Sequence, residues 1–207
     1  MKRLIIASNN AHKVGEIKAI LGEFHYEIVS LKEAGIEIDV EEDQNTFMGN
    51  AYKKAFEIFE LLDEKEKEST LVLSDDSGLS VDHLQGAPGV YSARYGGIAH
   101  DDKRNNEKLL KELHGVPEEK RGAEFITAMV LLGKNLDLRV IGEAKGRILT
   151  ELSGEGGFGY DPLFYSFDLE KTFAQASGEE KNRFSHRGNA LQNLSKELKR
   201  IEDRNRL

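Results

Sequence analysis

Leu4-Ile5-Ile6-Ala7-Ser8-Asn9-Asn10-Ala11-His12-Lys13 decides how the chain starts to fold. Its first four residues are a short apolar run, the mark of a strand buried on both faces. At Ser8 the run turns polar, and Asn9 or Asn10 can cap a helix that puts Val14, Ile17 and Leu21 on one stripe. Residues 26–29 read as a second strand, so the opening is β-α-β. Further on, Thr46 caps a helix with Phe47, Ala51, Ala55, Ile58, Phe59 and Leu62 at helical spacing. That helix dissolves into the charged, solvated stretch 63–68. Thr70-Leu71-Val72-Leu73 predicts a central strand with Asp75 and Asp76 at its tip. Gly86-Ala87-Pro88-Gly89 is a turn, and 101–113 an amphipathic helix with Leu109, Leu110 and Leu113 inward. Residues 125–132 and 138–148 pair as antiparallel strands across a turn at 133–137. A last helix starts near Ser185 and carries Leu191, Leu194, Leu198 and Ile201 on one face. With no linker or repeat, the pattern predicts one α/β domain over residues 1–207, built on a mixed sheet.

Composition narrows the function. The chain has 207 residues, 39% of them hydrophobic, enough for a substantial core. No apolar run approaches the length of a membrane helix, and the apolar start is too short for a secretory signal. The expectation is a cytoplasmic protein with no membrane partner. There is no cysteine, hence no disulfide and no thiolate chemistry. A net charge of −8 argues against a nucleic-acid surface. It leaves room for a small polyanion, provided a few cations and a divalent metal outweigh the global field locally.

Four polar clusters carry candidate chemistry. Ser8, Asn9, Asn10, Ala11, His12 and Lys13 lie where a strand meets a helix N-terminus, whose backbone N–H groups suit phosphate. Lys13 can fold back onto the same phosphates; the plainer reading is an ordinary cap with a surface lysine. Asp75 and Asp76 are hard oxygen donors of the kind magnesium prefers, or an Asx-turn into Ser77-Gly78. Glu41 and Glu42 lie just before the Thr46 helix, and Lys54 is two turns into it. In Gly154-Glu155-Gly156-Gly157-Phe158-Gly159-Tyr160-Asp161-Pro162, glycines let backbone approach a ligand, and Phe158 has the flat face a base stacks on. Asp161 can accept from a base N–H; a core phenylalanine in a hairpin is the alternative. Lys181, Ser185, His186 and Arg187 gather donors near a helix start. A Ser185-His186 hydrolase dyad is disfavoured, because neighbours on a helix diverge and no nucleophile elbow is present. The other histidines have no metal-ligand spacing.

These motifs resemble the inosine triphosphatase family, the dITP/XTP pyrophosphatases. Ser-Asn-Asn-x-x-Lys, Ser-Asp-Asp-Ser-Gly-Leu, Gly-Ala-Pro-Gly-Val-Tyr-Ser-Ala-Arg-Tyr, Gly-Gly-Phe-Gly-Tyr-Asp-Pro-Leu-Phe and Glu-Glu-Lys-Asn-Arg-Phe-Ser-His-Arg-Gly stand in family order over residues 4–200. The resemblance implies a strongly twisted mixed sheet flanked by helices, in two lobes around a substrate cleft. It implies hydrolysis of ITP, dITP or XTP at the α–β phosphoanhydride to a monophosphate and pyrophosphate, with magnesium and as a homodimer. Carried over, Ser8 to Lys13 hold phosphate, with Lys13 the key cation and Lys54 near the phosphates. Glu42 and Asp76 bind magnesium, and Asp76 accepts the proton. Ser77 touches substrate, Phe158, Gly159, Tyr160 and Asp161 hold the base, and Lys181, His186 and Arg187 complete its pocket.

The chain departs from the family pattern between Glu42 and Ala51, where Gln44 replaces a glycine and Gly49 an acidic residue. A glycine inside a helix costs about 1 kcal/mol relative to alanine. The rival readings are a Maf-type pyrophosphatase, a non-hydrolytic nucleotide sensor and a dimerisation module. Gly-Phe-Gly-Tyr-Asp-Pro and Ser-His-Arg argue against the first, and Lys13, Asp76 and Lys181 against the second.

Overall fold

A computed structural model describes residues 2–22 and 24–205, without the side chains of 202–205. Strand β1 (Lys2–Ile6) leads into helix α1 (Ala11–Leu21) and strand β2 (Tyr26–Ser30). Helix α2 (Phe47–Glu60), short helix α3 (Glu64–Lys67) and the long strand β3 (Thr70–Val81) follow. Helix α4 (Asp102–Glu112) precedes strands β4 (Gly122–Gly133) and β5 (Leu136–Ile148). Then come β6 (Phe164–Ser166), β7 (Lys171–Thr172), helix α5 (Gly178–Phe184) and helix α6 (His186–Asn205). The strands form a seven-stranded sheet in the order β2-β1-β3-β4-β5-β6-β7. It is mixed: β1 is parallel to β2 and β3, whereas β6 is antiparallel to β5 and β7. β4 and β5 are neighbours joined by Lys134 and Asn135 alone, too short a link for a crossover, so they too are antiparallel.

The chain forms two compact units. One comprises residues 1–76, 128–141 and 190–207; the other comprises 77–127 and 142–189. In the first unit, strand alternation sorts side chains onto two faces. Leu4, Ile6, Leu71, Leu73, Met129 and Leu131 pack with Ile17 and Leu21 of α1 and with Leu191, Leu194 and Leu198 of α6. Ile5, Val72, Ala128 and Val130 pack with Ala51, Ala55 and Ile58 of α2. Leu4, Ile5 and Ile6 are almost fully buried, each adding about 1.5–3 kcal/mol of apolar burial. In the second unit, Leu79 and Val81 of β3 join Leu109 and Leu113, Phe125, Phe164 and Phe173.

Three expectations need correction. β3 does not end at Leu73: it continues to Val81, so Asp75 and Asp76 lie within a strand. The polar stretch stays extended because side chains satisfy it; Ser74, for example, donates to the Ala51 carbonyl. The stretch 63–68 is not merely a solvated end: Asp63 and Glu66 close a capping box around α3. Lys181, expected just ahead of the last helix, sits in a helix of its own, α5, capped reciprocally by Ser177 and Glu180. Among the described residues, no helix is long and apolar enough to cross a membrane.

Candidate active site

In the first unit, Asp75 and Asp76 are consecutive in an extended strand and therefore face opposite sides. Asp75 shares its side with α1, where the Lys13 ammonium is 3.0 Å from its Oδ2. Asp76 shares its side with α2, where the Asn50 amide donates to its Oδ2 at 2.9 Å. Lys54, one helical turn beyond Asn50, donates to Glu42 Oε1 and to the Asp75 carbonyl, both at 2.6 Å. Asp75 and Asp76 are 1% and 5% exposed. The result is a set of carboxylates, Asp75 and Asp76 buried and Glu42 partly exposed, threaded by two ammonium groups.

Burial pushes the Asp76 carboxyl above its ordinary range; Glu42 adds to the push, while Lys54, Asn50 and Lys13 resist it. Glu42 is also penalised by burial, but the charge and hydrogen bond of Lys54 win and hold its carboxyl low. For Lys54, burial opposes the charge, and Asp76, Glu42 and Asp75 together keep it firmly protonated. The two carboxylates thus differ: one stays ionised beside its cation, and the other is held nearer neutrality.

The Ser8–Lys13 loop is arranged differently from a bare helix N-terminus. Asn10 caps α1, its Oδ1 accepting from the amides of His12 at 3.0 Å and Lys13 at 3.3 Å. Ser8 Oγ accepts from the Asn10 amide, and Asn9 reaches the Ile38 carbonyl at 3.3 Å. The amides of Asn10, His12 and Lys13 are thus engaged by side chains within the segment. Lys13 carries the full charge of this segment.

In the second unit, Asp161 Oδ2 accepts from Lys181 at 2.7 Å and from the Phe158 amide at 3.0 Å. The Lys181 ammonium lies 5.0 Å from the Phe158 ring centroid, within cation–π range. Phe158 is half-buried, and Gly157 and Gly159 around it have positive φ. Tyr160 is buried, and its hydroxyl donates to the Ser92 carbonyl at 2.8 Å, so its ring belongs to the core. His186 stacks on Phe125 with ring centroids 4.6 Å apart. Arg187, 2% exposed, donates to Ser77 Oγ at 3.0 Å.

Residues 4–197 match the model of the Ham1 family, nearly the whole chain. The chain belongs to the Ham1 family. A dITP/XTP pyrophosphatase of Clostridium perfringens is 53% identical over 202 residues, 97% of this chain and 99% of that one. A protein of the same name from Clostridium tetani is 49% identical, covering 99% of this chain and 100% of that one. Among solved structures, the Staphylococcus aureus Ham1 protein matches with a TM-score of 0.83 and 39% identity, over 96% of this chain and 98% of that one. A HAM1 protein from Coxiella burnetii matches at 0.82 and 34%, over 97% and 100%.

In this Ham1 chain the fold gathers Lys13, Glu42, Lys54 and Asp76 in one unit, and the other holds the Phe158, Asp161 and Lys181 cluster and the Ser77–Arg187 pair. Reading the sequence missed Asn50. Its amide N–H₂ holds Asp76 while its Oδ1 accepts from the Gln44 amide, tying the segment after Glu42 to the strand. A signal existed: Asn50 is a polar residue on the inner face of α2, beside Ala51, and is buried. Asp102 and Asn106 of α4, which hold Gly159, were also missed.

Proposed function

We propose that this chain hydrolyses nonstandard purine nucleoside triphosphates (ITP, dITP and XTP) to the monophosphate and pyrophosphate. The observation that carries the proposal is the pair of ammonium groups, Lys13 and Lys54, set among Glu42, Asp75 and Asp76. A triphosphate brings several negative charges, and a protein of net charge −8 must meet them locally. Relatives that match over their full length are named dITP/XTP pyrophosphatase.

Among the described residues, no three His, Cys, Asp or Glu side chains converge as a metal cage. The donor set nonetheless fits magnesium. Glu42 and Asp76 are hard oxygen donors close enough for the charge of Glu42 to raise the Asp76 carboxyl. Magnesium takes one or two carboxylates and completes its shell with water and substrate phosphates. When bound, it supplies neutralisation of the charge developing on the phosphates.

The chain's own residues do the rest. Lys13 and Lys54 act as point charges on the phosphate oxygens. Asp76, its Oδ2 fixed by Asn50, orients a water for in-line attack on the α-phosphorus and takes its proton. Pyrophosphate leaves; no covalent intermediate forms. Phe158 offers its face to the purine, a stack worth about 1–3 kcal/mol. His186 and Arg187 donate to the 6-carbonyl, and Asp161 accepts from N1–H. Adenine reverses the polarity at the 6-position and leaves buried groups unpaired, at about 1–3 kcal/mol each. Two copies form a homodimer in the cytoplasm.

Hydrolysis of ITP in ¹⁸O-labelled water tests the bond cleaved. Label in IMP, with unlabelled pyrophosphate, is expected. Label in a phosphate product, with IDP accumulating, would overturn attack at the α-phosphorus.

A further inference from the structure

We infer that Asp102 and Asn106 of α4 form a clamp on Gly159 and, through it, set the position of the Phe158 ring. The inference rests on the reading of Phe158 as the surface that stacks on the base. The two residues are four apart on one helix and so present their side chains on the same face, one turn apart. Asp102 Oδ2 accepts from the Gly159 N–H at 2.7 Å, and Asn106 Nδ2 donates to the Gly159 carbonyl at 2.9 Å. That N–H belongs to the peptide from Phe158, and that carbonyl to the peptide into Tyr160. Both peptides flanking one α-carbon are thereby held by a single rigid helix, one of them by a carboxylate, the stronger kind of acceptor.

Gly159 is where such a clamp is needed. Its φ is +61°, left-handed backbone, while a Cβ there would meet nothing within 4 Å. Conformation, not crowding, asks for glycine, and glycine is the residue most able to move. On the far side Tyr160 is anchored to Ser92, and on the near side the Phe158 amide is held by Asp161. With Gly159 fixed as well, the Phe158 backbone has no slack and its ring is presented ready for a base, which lowers the ordering cost of binding. Asn106 is also a clean probe. It is 7% exposed, and its Oδ1 has no hydrogen-bond partner among the described residues, so the hydrogen bond that truncation removes is the one to Gly159.

Asp102 and Asn106 are positioning residues, and the products separate their role from a structural one. Binding of IMP and of inorganic pyrophosphate is measured separately by calorimetry in magnesium buffer, for the full chain and for F158A, N106A, D102A and D102N. Weakening of IMP by about 3- to 10-fold in N106A and D102A, the scale of one net hydrogen bond, is expected with pyrophosphate affinity unchanged. D102N keeps an acceptor oxygen and should restore IMP affinity. In turnover of ITP, KM should rise with kcat kept. If F158A weakens IMP but N106A and D102A do not, or if they weaken pyrophosphate equally, the clamp is overturned. If F158A also leaves IMP unchanged, the base-stacking reading falls and the clamp falls with it.

Discussion

At the scale of single residues, Asp76 is the most telling group. Its carboxyl is raised chiefly by burial, so in the folded protein the ionised form is a liability. The sign follows. A raised folded pKa contributes stability below the ordinary value of 3.8 and loses it as pH rises through the folded one. At neutral pH, Asp76→Asn removes that penalty and keeps an oxygen for Asn50. The variant should therefore melt no lower than the parent while losing about 10²- to 10⁴-fold in turnover of ITP, the usual worth of a positioned base. Thermal melts and pyrophosphate release check the two halves; retained turnover would move the proton acceptor elsewhere. Asp76 and Lys13 were legible as residues, because polar groups after an apolar run invite a site. Glu42 was legible too, but Asn50 was not, since only the packing of α2 against β3 brings its amide to Asp76.

At the scale of elements, the strongly periodic ones were readable. α1, α2 and α4 have their Asn10, Thr46 and Asp101 caps, and β4 and β5 form the hairpin. The missed ones lacked apolar periodicity. β3 was cut short because residues 74–77 are polar, and hydrogen-bonded partners rather than hydrophobicity keep them extended. α3 and α5 are short and charged, yet both carry a capping box visible in sequence as Asp-x-x-Glu and Ser-x-x-Glu.

α5 yields a pH prediction. Hydrogen bonds from Lys171 and Ser177 hold the Glu180 carboxyl at about 2 rather than 4.5. A depressed carboxyl contributes stability above its unfolded value and loses it as pH falls through the folded one. Melting temperature should therefore fall between about pH 4.5 and 2, and Glu180→Gln should flatten the profile in that window; an unchanged slope would contradict the assignment.

The α2 start yields another. A Cβ at Gly49 would lie 3.0 Å from both Gln44 Cβ and Thr46 Oγ1, so Gln44 occupies space that a side chain at 49 would need. Gly49→Ala alone should gain little despite the roughly 1 kcal/mol of helix propensity. In a Gln44→Gly background it should stabilise. Equal effects in both backgrounds, in denaturant melts of the double-mutant cycle, would show that the two positions are independent. The departures at 44 and 49 thus read as one coupled exchange, which leaves Glu42 beside Lys54.

At the scale of the whole molecule, a chain of net charge −8 holds a few of its cations buried or half-buried among carboxylates and hydroxyls. Lys13 and Lys54 lie in the first unit; Lys181, beside the Phe158 ring, and Arg187, beside Ser77, lie in the second. The fold class was legible from the β-α-β opening and the family from the motifs, because both depend on local sequence. Selectivity at the purine 2-position was not legible, because nothing in the motifs distinguishes a 2-amino group from a 2-carbonyl. The measurement that bears most directly on the central claim is pyrophosphate release from ITP, XTP, GTP and ATP, with magnesium and with chelator. The account predicts fast release from ITP and XTP that chelator abolishes, and little from GTP or ATP. Release that is equal across the four bases, or absent from all of them, would contradict it.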